Sequence, residues 1–156
     1  MNAQNRAETF VKKLAQPAGN TKVFETGERA KEMLLCVANE TYAEVASQYG
    51  EYFSGGPGEI YWQNSCQQFS EIMKRKLKEN GILSEFEYRD VKKINLNAKQ
   101  HIHLSTPDYF IDGTWQQFLD SPRNNNHCLV LDRKNLISDL RRAKVPKKLW
   151  FIYGAN

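Results

Sequence analysis

The stretch YWQNSCQQFSEIMKRKL places one cysteine, Cys66, where a polar loop turns into an amphipathic helix. A helix N-terminus favours the thiolate, which is the nucleophilic form of cysteine. A free cysteine is also a small hydrophobe, so packing is an equally ordinary reason for its presence. A base and an orienting acid elsewhere in the chain would make Cys66 a catalytic nucleophile.

The base and the acid are predicted on two neighbouring strands. His101 and His103 share one face of a predicted strand, since alternate residues point the same way, and the next strand carries Asp112. One antiparallel register sets His103 opposite Asp112, and a register shifted by two residues sets His101 there. Proline prefers the first central position of a turn, and in the connecting TPD this favours the first register. The predicted base is therefore His103, with His101 as the alternative.

Further residues are predicted to contact a substrate. The backbone N–H of Cys66 is a natural donor to an oxyanion, and a side-chain amide of Gln63 or Asn64 could supply a second. Polar residues are also common in any loop. Trp115 could line a channel for an acyl group or a glutamine side chain, although aromatics near strands more often belong to a core.

The elements that position these residues follow from the hydrophobic period. Residues 26–53 are predicted to be helical, and TYAE within them reads as a capping box that could begin a second helix. The helix that follows Cys66 is predicted to end at ENG. Its apolar face is formed by Phe69, Ile72, Met73 and Leu77.

After ENG the apolar residues no longer recur with a helical spacing and instead alternate with polar residues. This alternation predicts strands at ILSEFEYRDV, KQHIHLS, YFIDGTWQ, HCLVL and KKLWFIY. A helix at DRKNLISDLRRAK, with Asp132 as N-cap, precedes the last strand. Helices followed by a mainly antiparallel sheet predict an α+β fold.

Length and composition predict one globular domain over residues 1–156, with residues 1–25 as a loosely ordered arm. The net charge of +4 comes with no recognition motif, so no nucleic-acid partner is predicted. No apolar run approaches the roughly 20 residues of a membrane span. The first residues lack the apolar segment of a secretory signal, which predicts synthesis in the cytoplasm.

Cysteine usage and donor spacing bear on redox state and metals. Three cysteines without a CxxC pair predict a reducing compartment and no disulfide framework. His127 and Cys128 are adjacent and would point to opposite faces of a strand, so they do not predict a metal pair. We expect neither a metal nor a cofactor.

The order of a cysteine helix, a histidine strand and an aspartate strand resembles the papain-like, transglutaminase-like superfamily. The nearest resemblance is to its toxin and effector branch, which includes bacterial protein glutamine deamidases. That branch commonly carries ID-x-T-x-x-QF after the histidine strand, and here the stretch reads IDGTWQQF. SCQQFSEIMKRKLKENGI and CLVLDRKNLISDLRRA also resemble its cysteine helix and its closing strand–helix unit. The resemblance covers residues 58–153.

This resemblance implies a papain-like cysteine-hydrolase fold with Cys66 as nucleophile and Asp112 as orienting acid. The branch usually has a longer interval between histidine and aspartate, which favours His101 over His103. The implied function is deamidation of a glutamine side chain in a protein target. Delivery into the cytosol of a host or target cell, with a secretion chaperone as a second partner, is also implied. A transglutaminase, a thiol protease and a catalytically idle partner-binding scaffold of the same fold are the alternatives.

Overall fold

A computed structural model describes residues 23–53, 65–94, 100–120 and 127–156. The α-helices are α1 (Val23–Phe53), α2 (Cys66–Glu79) and α3 (Leu136–Arg142). The strands are β1 (Glu85–Asp90), β2 (Gln100–Ser105), β3 (Tyr109–Asp112) and β4 (Leu129–Asp132). Short 3-10 helices span Trp115–Phe118, Arg133–Asn135 and Lys147–Tyr153. Helices packed on an antiparallel sheet confirm the predicted α+β class.

The four strands form one antiparallel sheet in the order β1-β2-β3-β4. A tight turn joins β2 to β3, in which the N–H of Thr106 donates to the carbonyl of Tyr109 at 2.8 Å. Pro107 occupies the first central position of this turn, as the sequence predicts. Leu104 consequently pairs with Ile111, and Ser105 pairs with Phe110. This is the register predicted from the proline.

Alternation along the strands divides the apolar side chains into two cores. One core packs α1 and α2 against the sheet and includes Leu104 and Ile111. The other packs the C-terminal segments against the sheet and includes Leu129 and Leu131. The sheet therefore lies between the helix pair α1–α2 and the C-terminal part of the chain.

Helix α2 follows its predicted period closely. The four residues of the predicted apolar face are all buried: Phe69, Ile72, Met73 and Leu77. The helix ends at Glu79, and Gly81 beyond it adopts a positive φ of 79°, a backbone conformation that glycine tolerates best. The first residue of α2 is Cys66, so the predicted position of the thiol at the start of a helix is confirmed.

Two predicted elements are wrong. Helix α1 continues through TYAE, where the Thr41 hydroxyl donates back to the carbonyl of Val37 at 2.8 Å instead of capping a new helix. KKLWFIY is a 3-10 helix and not a strand. Its buried side chains recur with a helical spacing, because Leu149 and Trp150 are followed three residues later by Ile152 and Tyr153.

Other details of the predicted elements are refined. Asp132 caps the 3-10 helix Arg133–Asn135 that leads into α3, since its carboxylate accepts from the N–H of Lys134 at 2.9 Å, whereas the N-cap of α3 itself is Asn135. Cys36 is only half-buried, whereas its neighbour Val37 is fully buried in the first core. Among the described residues, no helix has both the length and the apolar character that crossing a membrane requires. The predicted arm falls mostly in residues 1–22, outside the described part of the chain.

Candidate active site

Strands β2 and β3 bring His101, His103 and Asp112 together, each no more than 1% exposed. The observed register, continued by one pair, sets His103 opposite Asp112. The carboxylate nevertheless reaches diagonally, and its Oδ2 lies 2.6 Å from Nε2 of His101. A diagonal neighbour in an antiparallel pair is within reach of such side chains. The predicted register was correct, but the predicted His103–Asp112 contact was wrong.

Three donors hold the Asp112 carboxylate. Besides His101, the hydroxyl of Tyr153 donates to Oδ2 at 2.8 Å, and the N–H of Thr114 donates to Oδ1 at 3.1 Å. Burial would raise the pKa of Asp112, but the charge and hydrogen bond of His101 outweigh it and lower the pKa below its usual value, helped by His103 and Tyr153. Asp112 is therefore a buried, ionised and fixed carboxylate.

His101 links this carboxylate to the thiol. Burial would lower the pKa of His101, but the Asp112 carboxylate and a hydrogen bond with Cys66 outweigh it and raise the pKa to about 9. Because Nε2 faces Asp112, Nδ1 is the ring nitrogen left for Cys66. The carboxylate and the imidazole are directly hydrogen-bonded, and Cys66 lies near enough to the ring to help raise its pKa, so that the imidazole is protonated at neutral pH.

Helix α2 is tied directly to the strands that carry the other two groups. The Ser70 hydroxyl donates to the carbonyl of Ile102 at 3.3 Å, between the two histidines. The Phe69 ring lies so close to Gly113 that any Cβ at that position would overlap it. Tyr42 from α1 adds a third tie, since its hydroxyl donates to the Gly113 carbonyl at 2.6 Å. These contacts fix the helix N-terminus against the residue that follows Asp112.

Gln117 is a site residue that was not singled out from the sequence. Its Nε2 donates to the Thr114 carbonyl at 3.0 Å and lies 3.4 Å from Nδ1 of His101. The amide therefore sits beside the nitrogen that faces Cys66. Its position in IDGTWQQF, as the glutamine of the shared QF, is the sequence signal that could have identified it.

His103 occupies a very different environment. Its ring packs edge-on against Phe110 and Tyr153, with centroids 5.7 and 5.2 Å away, and lies parallel to the His101 ring at 6.0 Å. Among the described residues, neither of its nitrogens has a hydrogen-bond partner. Burial, reinforced by the charge of His101 and only partly offset by Asp112, lowers the pKa of His103 to about 4. His103 is therefore neutral and is not the base that contacts Asp112.

Of the three residues predicted to contact a substrate, Trp115 lies within the described part of the chain. Trp115 is fully buried in the second core, and its Nε1 donates to the carbonyl of His127 at 3.0 Å. It does not line a channel, because its large apolar surface is more stable inside the core. Gln63 and Asn64 lie outside the described residues.

The buried thiol of Cys128 is poorly suited to act as a nucleophile. Cys128 is enclosed in the first core, and burial, together with the nearby Asp112 charge, raises the pKa of its thiol well above the usual value. A cavity of about 380 Å³ between α1 and the β4–α3 region touches Cys128 but none of Cys66, His101 and Asp112. Of Cys66 and Cys128, it is Cys66 that contributes to the raised pKa of His101.

Comparison of the chain with protein-family models, with curated proteins and with solved structures found no match.

Proposed function

We propose that this protein is a cysteine-dependent amidohydrolase of papain-like fold, with Cys66 as nucleophile, His101 as acid and base, and Asp112 as orienting group. The observation that carries the proposal is the buried hydrogen bond between His101 and Asp112, with Cys66 at the start of α2 near enough to the ring to help raise its pKa. Each group has the partner that its role requires, as in other nucleophile–base–acid sites.

The proposed acylation step begins from thiolate and imidazolium. The sulfur of Cys66 attacks the carbonyl carbon of a side-chain amide, and a C–S bond forms while the carbonyl oxygen takes the negative charge. The tetrahedral intermediate collapses, the C–N bond breaks, and Nδ1 of His101 gives its proton to the leaving nitrogen. Ammonia departs and a thioester remains.

The deacylation step reverses the roles. His101, now neutral, accepts a proton from a water molecule, whose oxygen attacks the thioester carbon. The C–S bond breaks, and the product is a carboxylic acid with the thiolate–imidazolium pair restored. Asp112 stabilises the charged ring in both steps and keeps Nε2 protonated, so that Nδ1 is the nitrogen that exchanges the proton.

Two amides at the site suit these steps. The backbone N–H of Cys66, at the N-terminus of α2, has no i−4 partner within the helix and is a natural donor to the oxyanion. The side chain of Gln117 is anchored on the Thr114 carbonyl and has an N–H beside Nδ1 of His101. When Nδ1 is unprotonated, this N–H holds the ring in place for the next proton.

The choice of substrate rests on the resemblance to protein glutamine deamidases of the toxin and effector branch. Support comes from the shared motif IDGTWQQF, because its positions have distinct contacts at the site. Asp112 bonds the histidine, Thr114 donates its N–H to Asp112, and Gln117 reaches Nδ1. We accordingly propose glutamine side chains of a protein target as substrate and an effector or toxin role for the enzyme.

The test uses glutamine-containing peptides and denatured casein, with intact mass and ammonia release as readouts. Deamidation replaces an amide nitrogen by oxygen and adds about one dalton per event. A transglutaminase would instead incorporate an added primary amine, and a protease would split the chain. Cys66→Ala is expected to abolish turnover, and Cys36→Ala, the matched control, is expected to retain it.

A second readout is independent of the choice of substrate. Iodoacetamide at neutral pH is expected to alkylate Cys66 before Cys36, and His101→Gln is expected to slow the reaction at Cys66 only. Equal labelling of the two cysteines in the folded protein would contradict the proposal. It would leave the idle scaffold as the better reading of the fold.

A further inference from the structure

The cluster of His101, His103 and Asp112 has a feature that the proposed reaction does not use. Each residue offers one ligand atom, and these atoms all lie within 4.8 Å of one another in the interior. We propose that the three side chains form an inhibitory binding site for a divalent transition-metal ion of the zinc class. The inhibitory part of this inference rests on the proposed function, whereas the binding part does not.

His103 is the residue that points to a ligand. Its two ring nitrogens lie in the interior without a hydrogen-bond partner among the described residues, and an unpartnered polar group in the interior destabilises a fold. An imidazole nitrogen that is not already hydrogen-bonded is free to bind a metal ion. A metal ion beside Asp112 would supply the missing partner.

The spacing of the donor atoms is compatible with a small ion. Tetrahedral zinc with bonds of about 2.0–2.1 Å sets its ligand atoms roughly 3.3 Å apart. To reach this spacing, the distance between Nε2 of His101 and Oδ2 of Asp112 would lengthen from 2.6 Å. The distances in the other two donor pairs, which are at most 4.8 Å, would shorten. A tetrahedral ion held by three protein ligands has a fourth position for water.

The surrounding groups suit such a site. The N–H of Thr114 and the hydroxyl of Tyr153 already orient the Asp112 carboxylate, as outer groups do around many metal ligands. Two imidazoles and one carboxylate favour zinc and its neighbours over magnesium or calcium, which prefer all-oxygen sites. Cys66 faces the opposite nitrogen of His101 and is not one of the ligands.

Metal binding would block catalysis at a defined atom. The ion would replace the proton on Nε2 of His101, and this proton would be released to solvent. The metal-bound ring keeps its hydrogen on Nδ1 and is no longer an imidazolium. Giving up that hydrogen to a leaving amine would create an imidazolate, which is a far less favourable species. The enzyme would be inactive until the metal is removed.

The binding test titrates Zn²⁺ alone into the wild type and four variants, followed by calorimetry. Wild type is expected to bind one ion, and both His103→Leu and His103→Gln are expected to bind it at least tenfold more weakly. Cys66→Ser and His127→Gln, the matched controls, are expected to bind like the wild type. If wild type does not bind, or if a folded His103 variant binds equally well, the inference is overturned. Loss of binding in Cys66→Ser would also overturn it, because the thiol would then be the ligand.

The inhibition test uses the same variants with the ammonia-release assay. Zn²⁺ is expected to inhibit the wild type, and a chelator is expected to restore turnover. His103→Leu is expected to keep turnover within a few-fold of the wild type and to lose most of its sensitivity to Zn²⁺. Equal inhibition of His103→Leu would overturn the inhibitory role. Absence of turnover in every variant would instead contradict the proposed function and leave the calorimetric result to decide the binding site.

Discussion

His101 and His103 lie two residues apart on β2, with parallel rings 6.0 Å apart and almost no exposed surface. Their surroundings drive them to opposite states, since the pKa of His101 is raised to about 9 and that of His103 is lowered to about 4. Burial opposes the charge at both positions. The difference comes from hydrogen bonding, because Asp112 is hydrogen-bonded to His101, whereas neither nitrogen of His103 has a hydrogen-bond partner among the described residues.

The comparison shows that the same residue type at the same depth can be charged and hydrogen-bonded or neutral and packed among aromatic rings. His103 belongs to an aromatic cluster with Phe110 and Tyr153. His101 belongs to a polar chain that ends at the N-terminus of α2. Replacing each histidine, or the residues that contact it, therefore tests whether the two rings have different charge states and different roles.

The largest expected effect is on turnover. His101→Gln is expected to lower turnover on the order of 10⁴-fold or more, as removal of a triad base does, whereas His103→Leu is expected to cost only a few-fold. The measurement is the initial rate of ammonia release, with circular dichroism as the check on folding. If His103→Leu is the inactive variant and His101→Gln retains turnover, His101 is not the base.

A smaller effect is expected on the pH dependence of stability, with opposite signs for the two histidines. The folded pKa of His103 lies below the unfolded value of 6.5, so stability is lost as pH falls from about 6.5 through about 4. That gap corresponds to roughly 3 kcal/mol. The folded pKa of His101 lies above 6.5, so its contribution is present below 6.5 and is lost as pH rises through about 9.

Urea unfolding between pH 4 and pH 10 measures both flanks. His103→Leu is expected to flatten the acid flank between pH 6.5 and about 4 and to leave the alkaline flank unchanged. His101→Gln is expected to flatten the alkaline flank between pH 6.5 and about 9. If the plots of unfolding free energy against pH are parallel for the wild type and both variants, the opposite pKa shifts of the two histidines are contradicted.

The smallest expected effect concerns Tyr153, whose ring packs against His103 and whose hydroxyl donates to the carboxylate that bonds His101. Tyr153→Phe keeps the ring against His103 but removes one donor to Asp112, at an expected cost of about 1–2 kcal/mol in unfolding free energy. Turnover is expected to fall about tenfold, because Asp112 loses one of the donors that orient it. The alkaline limb of the pH–rate profile is expected to move to higher pH, because Oδ2 with one donor fewer attracts the imidazolium more strongly. An unchanged pH–rate profile would show that Tyr153 only packs.

Local sequence pattern was enough to predict a good part of the fold. It predicted the helix that starts at Cys66, its buried face and the turn that contains Pro107. These features depend on residues close together in the chain, so period and turn chemistry determine them. The pairing register of β2 with β3 follows from the same turn.

Sequence alone did not decide which histidine meets the acid. The register sets His103 opposite Asp112, yet the carboxylate turns diagonally to His101. Tyr153, 41 residues further along the chain, donates to the same oxygen from a C-terminal 3-10 helix that alternation had suggested was a strand. Gln117 likewise reaches the site from the 3-10 helix Trp115–Phe118, which the predicted alternation did not describe.

The amino-acid sequence by itself thus determined the α+β class, the thiol at a helix start and the face that carries two histidines and an aspartate. Tertiary structure alone decided which histidine is charged and which is packed among aromatic rings. It also decided which distant side chains donate hydrogen bonds to Asp112. The physical reason is that charge state in the interior depends on contacts of a few ångströms between residues far apart in sequence. Such contacts are fixed only when the two cores pack and bring those residues together.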